Sequence, residues 1–173
     1  MLDSRSDAIK LLKNLNAPKR LITHSILVSD VALELLVIIN NFEVEIDEKL
    51  VEIGAAVHDV GKINFTNELN EAGSQHEIEG EKILLNLGVE PRIAHFCVSH
   101  GNWSDPNCDL EDLIVALADK LWKGKRVPAL EEKIIKLISQ EAKQDYWEIF
   151  SKLDSQFESV AASGHDRLLR SII

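Results

Sequence analysis

Thiols, basic charge and long apolar runs are all scarce in this chain of 173 residues, and each shortage removes a class of function. There are only two cysteines, Cys97 and Cys108, without metal-type spacing, so a reducing cytosol is the simpler setting. Nineteen lysines and arginines face 29 acidic residues, a formal net charge of −10. Binding along a nucleic-acid polymer needs a basic footprint, which this balance does not supply. A small phosphorylated substrate stays compatible, because a metal centre and a few lysines override the global field locally. No apolar run approaches the roughly 20 residues that span a bilayer. The segment Met1-Leu2-Asp3-Ser4-Arg5-Ser6-Asp7 also lacks the basic-then-apolar order of a signal peptide. The expectation is a cytoplasmic protein that enters no membrane, with homo-oligomerisation left open.

Strand-like alternation and internal repeats are missing too, and helical periodicity fills the chain. Ser4 or Ser6 caps a short first helix to about Leu15, and Asn16-Ala17-Pro18 breaks it. A second helix, Pro18 to about Asn40, repeats apolar residues at Leu21, Leu27, Val28, Val31, Leu35 and Ile38. The pattern wraps widely, as in a core helix, and His24 shares the face of Leu27 and Val28. Asp47 caps a third helix that ends in His58-Asp59, with Gly61 closing it as glycine does beyond a helix end. Residues 63–74 read as a polar connection. Further helices run from Ser74 or Gln75 to Gly88, from Glu90-Pro91 to His100, and from Leu110 to Trp122. A seventh opens at Pro128 and an eighth covers about Asp145 to Ala162. The predicted fold is all-α: one domain over 1–173 with seven to eight helices, a core over 18–124 and a helical cover over 128–173.

Six residues sit in or at the ends of these apolar helices: His24, His58, Asp59, His76, His100 and Asp119. Charged groups are rarely buried unless paired or coordinated to metal. Imidazole with carboxylate suits zinc, iron, manganese or nickel, with no soft sulfur required. Asp59 has two oxygens and is able to bridge two ions. The assignment is His24, His58, Asp59 and Asp119 around a first ion, with Asp59, His76 and His100 around a second.

Each residue taken alone has a plainer reading. His24 fits a hydrogen-bonded core histidine, and Asp119 an acceptor for a backbone amide or a partner of Arg126. His76 fits a first-turn cap residue, and His100 a cation at a helix C-terminus. Six coincidences together favour the metal. His165-Asp166 repeats the dipeptide, but after Gly164 with no buried helix before it, so it reads as the surface start of a terminal helix. His95 lies off the face of His100.

Three segments carry a resemblance: Thr23-His24-Ser25-Ile26-Leu27-Val28, Ala55-Ala56-Val57-His58-Asp59-Val60-Gly61-Lys62, and Ala116-Leu117-Ala118-Asp119-Lys120. In this order, over about residues 20–123, they resemble the HD superfamily of metal-dependent phosphohydrolases. The resemblance implies an HD-type helical bundle whose core helices present the ligands. His76 and His100 resemble the extra histidines of its two-metal branch. The layout is most similar to the small stand-alone hydrolases of dinucleoside polyphosphates, including the stretch from Ala118 to Pro128. The Gly-Tyr-Pro element of the cyclic-dinucleotide branch is absent.

The activity so implied is hydrolysis of a nucleotide or another small phosphoester or phosphoanhydride by metal-bound hydroxide, with one or two divalent ions (Fe, Mn, Ni, Co or Zn). Asp59 bridges and orients, and Lys62 binds a phosphate oxygen where charge develops. Lys120, Lys123, Lys125 and Arg126 form a basic cluster for further phosphates, and Trp103 offers a ring for a base. A solvated lysine, a cation-favouring helix end and a packing tryptophan are the ordinary alternatives for these side chains. Two rivals keep the fold: an HD-fold di-iron oxygenase with the same ligand types, and a non-catalytic nucleotide-binding HD domain.

Overall fold

The computed structural model describes residues 2–172, and every regular element among them is helical. Helix α1 (Arg5–Asn14) begins at Ser4, whose hydroxyl accepts the Asp7 N–H at 3.2 Å. Helix α2 (Lys19–Ile39) follows Pro18 and buries Leu21, Leu27, Val28, Val31, Leu35 and Leu36. One expectation fails here. Within Lys19–Phe42 an 18-residue window reaches a mean hydropathy of 2.0, long and apolar enough to cross a bilayer, with half of that window buried inside the protein. The apolar character serves packing, because a helix enclosed by others needs little polar surface.

Helix α3 (Glu48–Val57) starts at Asp47, which accepts the Leu50 N–H at 2.9 Å. Two hydrophobic clusters meet along α2 and α3. Leu27, Val28 and Leu35 of α2, with Val51 and Ala55 of α3, join one cluster with helix α7 (Leu110–Leu121). Leu21 of α2, with Ile53, Ala56 and Val57 of α3, joins the other with α1 and helix α4 (Gln75–Asn86). Both chain directions thus converge where α3 ends.

That end differs from the expected glycine stop. Only Gly88 and Gly124 are left-handed among the described glycines, and they terminate α4 and α7. Gly61 instead lies in a tight 3₁₀ turn, Val60–Ile63, pressed against the backbone of α4. A Cβ there would run into the His76 carbonyl and come within 2.6 Å of the Gly80 nitrogen. Glycine is required because two backbones touch, a demand that no local pattern displays.

The expected fifth helix is two short pieces, α5 (Pro91–Ala94) and α6 (Phe96–Ser99). Helical torsions continue through His95, but its carbonyl accepts Val98 N–H as well as Ser99 N–H, which tightens the turn. Asp112 fixes α6 against α7. It shares a reciprocal cap with Asp109, accepts the Ser99 hydroxyl at 2.7 Å and takes Arg92 at 2.9 Å. Burial opposes ionisation of Asp112, but Ser99 and Arg92 outweigh it and hold the carboxyl below its usual range.

Helices α8 (Pro128–Ala142) and α9 (Tyr146–Ala162) extend the larger cluster through Leu130, Ile134, Ile138, Ile149, Leu153 and Phe157. A tenth helix, α10 (Gly164–Ser171), is anchored by buried Arg167. Its guanidinium donates to the Val160 carbonyl at 2.8 Å and to Glu34 at 3.1 Å.

Candidate metal centre

The six predicted ligands come together. The side-chain donors of His24, His58, Asp59 and Asp119 all lie within 4.8 Å of one another, and so do those of Asp59, His76 and His100. Asp59 belongs to both sets through different oxygens. Its Oδ2 faces His24 Nε2 at 3.0 Å and His58 Nε2 at 3.6 Å. Its Oδ1 faces His76 Nε2 at 3.1 Å and His100 Nε2 at 3.5 Å. Asp119 Oδ1 closes the first set, 3.4 Å from His58 and 3.5 Å from His24.

The local folds explain these aims. His58 caps the C-terminus of α3 and turns Nδ1 to the Ala55 carbonyl at 2.8 Å. His100 does the same at the end of α6, with Nδ1 3.0 Å from the Phe96 carbonyl. In both, the carbonyl contact occupies Nδ1 and leaves Nε2 as the nitrogen that faces the carboxylates and is open to a metal. His24 sits edge-on to Trp122, ring centroids 4.8 Å apart. Of the four buried side-chain polar atoms without a hydrogen-bond partner among the described residues, two belong to this centre, Asp59 Oδ1 and His76 Nε2; the others are Ser25 Oγ and Trp122 Nε1. Bare acceptors turned toward one another are costly unless a cation lies among them. Metal–ligand bonds of about 2.0–2.2 Å put ligand atoms at separations of this order. The donor sets fit divalent ions.

Electrostatics agree. Burial alone would raise Asp59 and Asp119, yet the surrounding imidazoles hold both carboxyls well below the usual range. His24 and His76 are pushed up: burial works against the charged ring, but the facing carboxylates, Asp119 and Asp59 for His24 and Asp59 for His76, outweigh it. His100 is pushed down to about 4 by burial, reinforced by neighbouring His58. In chelated protein, NMR titration of the rings is therefore expected to show His100 protonating near pH 4, and His24 and His76 above the ordinary 6.5. The unfolded chain protonates His100 at about its ordinary value. Its contribution to stability is therefore complete above 6.5 and is lost as pH falls toward 4. The other two histidines act in the opposite sense.

The centre forms the floor of a cleft of about 460 Å³. Lys62 Nζ donates to Asp59 Oδ2 at 2.6 Å and Lys120 Nζ to Asp119 Oδ2 at 2.9 Å, so both cations stand over the donor sets. Lys123 and Arg20 line the same cleft, together with Trp122, Glu71 and Glu77. Sequence reasoning missed Arg20, Trp122 and Glu68. Arg20 precedes His24 by one turn and Trp122 follows Asp119 by three residues, so helical spacing was the available signal. Glu68 carried none: it lies within the stretch read as a polar connection, which holds a 3₁₀ turn, Thr66–Leu69.

Three expected substrate contacts, Arg126, Lys125 and Trp103, lie elsewhere. Arg126 lines no part of the cleft and is bound by Glu131 at 2.7 and 2.8 Å, Asp154 at 2.6 Å and Glu158 at 2.9 Å. Nor does Arg126 pair with Asp119. Lys125 is exposed and outside the lining as well. Trp103 packs against the larger core cluster, and its carbonyl accepts Lys133 Nζ at 2.9 Å. Arg126→Ala is expected to leave kcat/KM unchanged while lowering stability by about 2 kcal/mol, because buried Glu131 loses its charged partner. Denaturation curves beside steady-state kinetics check this.

An all-helical bundle holding two buried histidine–carboxylate groups around one shared aspartate defines a metal-ligating class of domain. The HD domain family model matches residues 21–123, a span that contains all six donors, and the chain belongs to that family. The family is, in general, one of metal-dependent phosphohydrolases. The chain is also 29% identical to an uncharacterized protein of Methanocaldococcus jannaschii over 144 residues, 75% of this chain and 81% of that one. No solved structure matches it significantly.

Proposed function

We propose that this protein is a two-metal phosphohydrolase acting on a nucleotide or another small phosphoester or phosphoanhydride. One observation carries the reading: the two oxygens of Asp59 face two separate histidine sets on the floor of a cleft edged by cations. The first ion would be held by His24, His58, Asp59 and Asp119, and the second by Asp59, His76 and His100. Bound divalent ions supply Lewis acidity toward a phosphoryl oxygen and lower the pKa of a water molecule.

The chain's own residues supply binding and charge balance. Lys62 and Lys120, now paired with Asp59 and Asp119, present ammonium protons where a phosphoryl group would rest and where negative charge grows in the transition state. Lys123 and Arg20, further out in the cleft, suit additional phosphate oxygens. Such local cations admit a small anion to a protein of net charge −10, whereas a nucleic-acid polymer meets the whole acidic surface. Arg126 and Trp103 have no part in this reading.

Elemental analysis followed by a screen of nucleotides and phosphoesters with the metals found tests it. Turnover that depends on metal and disappears in His58→Ala supports it. Tight metal binding without turnover of any phosphoester overturns it, and oxygen uptake by an iron-loaded form would assign an oxygenase instead.

A further inference from the structure

His76 poses a problem that the other histidines of the centre do not. His58 and His100 stand at helix ends and reach back three or four residues to a helical carbonyl that holds Nδ1. His76 is the second residue of α4, where the first-turn N–H groups point out and no preceding turn offers a carbonyl. Its Nδ1 must find an acceptor from outside the helix.

Glu68 is that acceptor. Its carboxylate is buried in the 3₁₀ turn Thr66–Leu69, and Oε2 bonds His76 Nδ1. The same oxygen accepts the His76 backbone N–H at 3.2 Å, and Oε1 accepts the Gln75 N–H at 3.2 Å. Ser74, the residue at the cap position, makes no side-chain cap bond, so Glu68 does that work from a distance. A Cβ at Gly73 would collide with the Glu68 carboxylate, so the intervening segment makes room for it.

We propose that Glu68 is a positioning residue for the second ion: it fixes the His76 tautomer with the proton on Nδ1 and so presents a bare Nε2 toward Asp59 Oδ1. This rests on the two-metal reading. Such outer partners of ligating histidines typically change metal affinity roughly 10- to 100-fold. Glu68 touches neither the first donor set nor the cleft's lysines, so its effect falls on one ion only.

Cobalt titration of chelated protein, followed by absorption and calorimetry, tests the proposal. Wild type is expected to take up two equivalents. Glu68→Gln, which keeps one acceptor oxygen, is expected to retain the first and bind the second roughly 10-fold more weakly, and Glu68→Ala about 100-fold more weakly. A purely capping role would instead lower the melting temperature of the metal-free protein and leave the ratio of the two affinities unchanged. That result overturns the proposal, as does wild-type affinity in Glu68→Gln. Wild type that takes up no second equivalent removes the two-metal reading and this proposal with it. Should the variants fail to fold, the ¹⁵N spectrum of the zinc-loaded wild type decides. A proton on His76 Nδ1 supports the assignment, and one on Nε2 refutes it.

Discussion

Asp59→Asn is expected to remove both ions and to lower phosphoester turnover by roughly 10³-fold or more, a scale set by the loss of preorganised charge stabilisation. Asparagine keeps the size of aspartate but offers one oxygen and no charge. Whichever way the amide turns, its NH₂ group faces either His24 and His58 or His76 and His100, because the two aspartate oxygens are divided between those pairs. In either orientation Lys62 loses the charge of its 2.6 Å partner. The backbone around residue 59 is fixed by the 3₁₀ turn and by α3, so helix content by circular dichroism is expected to stay. The comparison that isolates the shared oxygen pair is His76→Ala, which belongs to one set only and should cost one ion. Elemental analysis of the three proteins separates these outcomes. Two ions retained by Asp59→Asn would show that the carboxylate joins nothing.

Gly61→Ala is the second large effect, and it arises from backbone contact. The new methyl group would occupy the space of the His76 carbonyl and crowd Gly80 N, neither of which belongs to a flexible side chain. The turn carrying Asp59 and Lys62 must lift from α4, at a cost of about 3 kcal/mol or more. Because His76 is part of the obstructed backbone, the Asp59–His76 spacing changes with it, and affinity for the second ion is expected to fall alongside stability. Gly88→Ala makes a useful contrast. It is left-handed with no atom within 4 Å of the added Cβ, so strain of about 1 kcal/mol is expected without any change in metal binding. Urea denaturation and cobalt titration of both variants distinguish a packing fault beside the site from one remote from it.

Much of this could be read in the sequence because the information was local. Asp47 beside an apolar period, Pro91 and Pro128 at first turns, and left-handed Gly88 and Gly124 each act within a few residues of themselves. The six donors were legible for a related reason: polar groups ending apolar helices are anomalous wherever the helices go. Other features depended on which surfaces meet. Gly61 looked like a helix stop, yet its neighbour is Gly80. Arg126 followed Asp119 closely in sequence but is drawn to carboxylates on α8 and α9. Glu68 lay in a polar segment whose composition gave no hint of burial, and the apolar length of α2 was underestimated.

The donors span the chain from His24 to Asp119 and lie in or beside five separate helices. Such a site exists only once the chain has folded, so the free energy of coordination would add to that of folding. Removing the metal would then loosen the junction of the two apolar clusters first, while each cluster keeps its own interior.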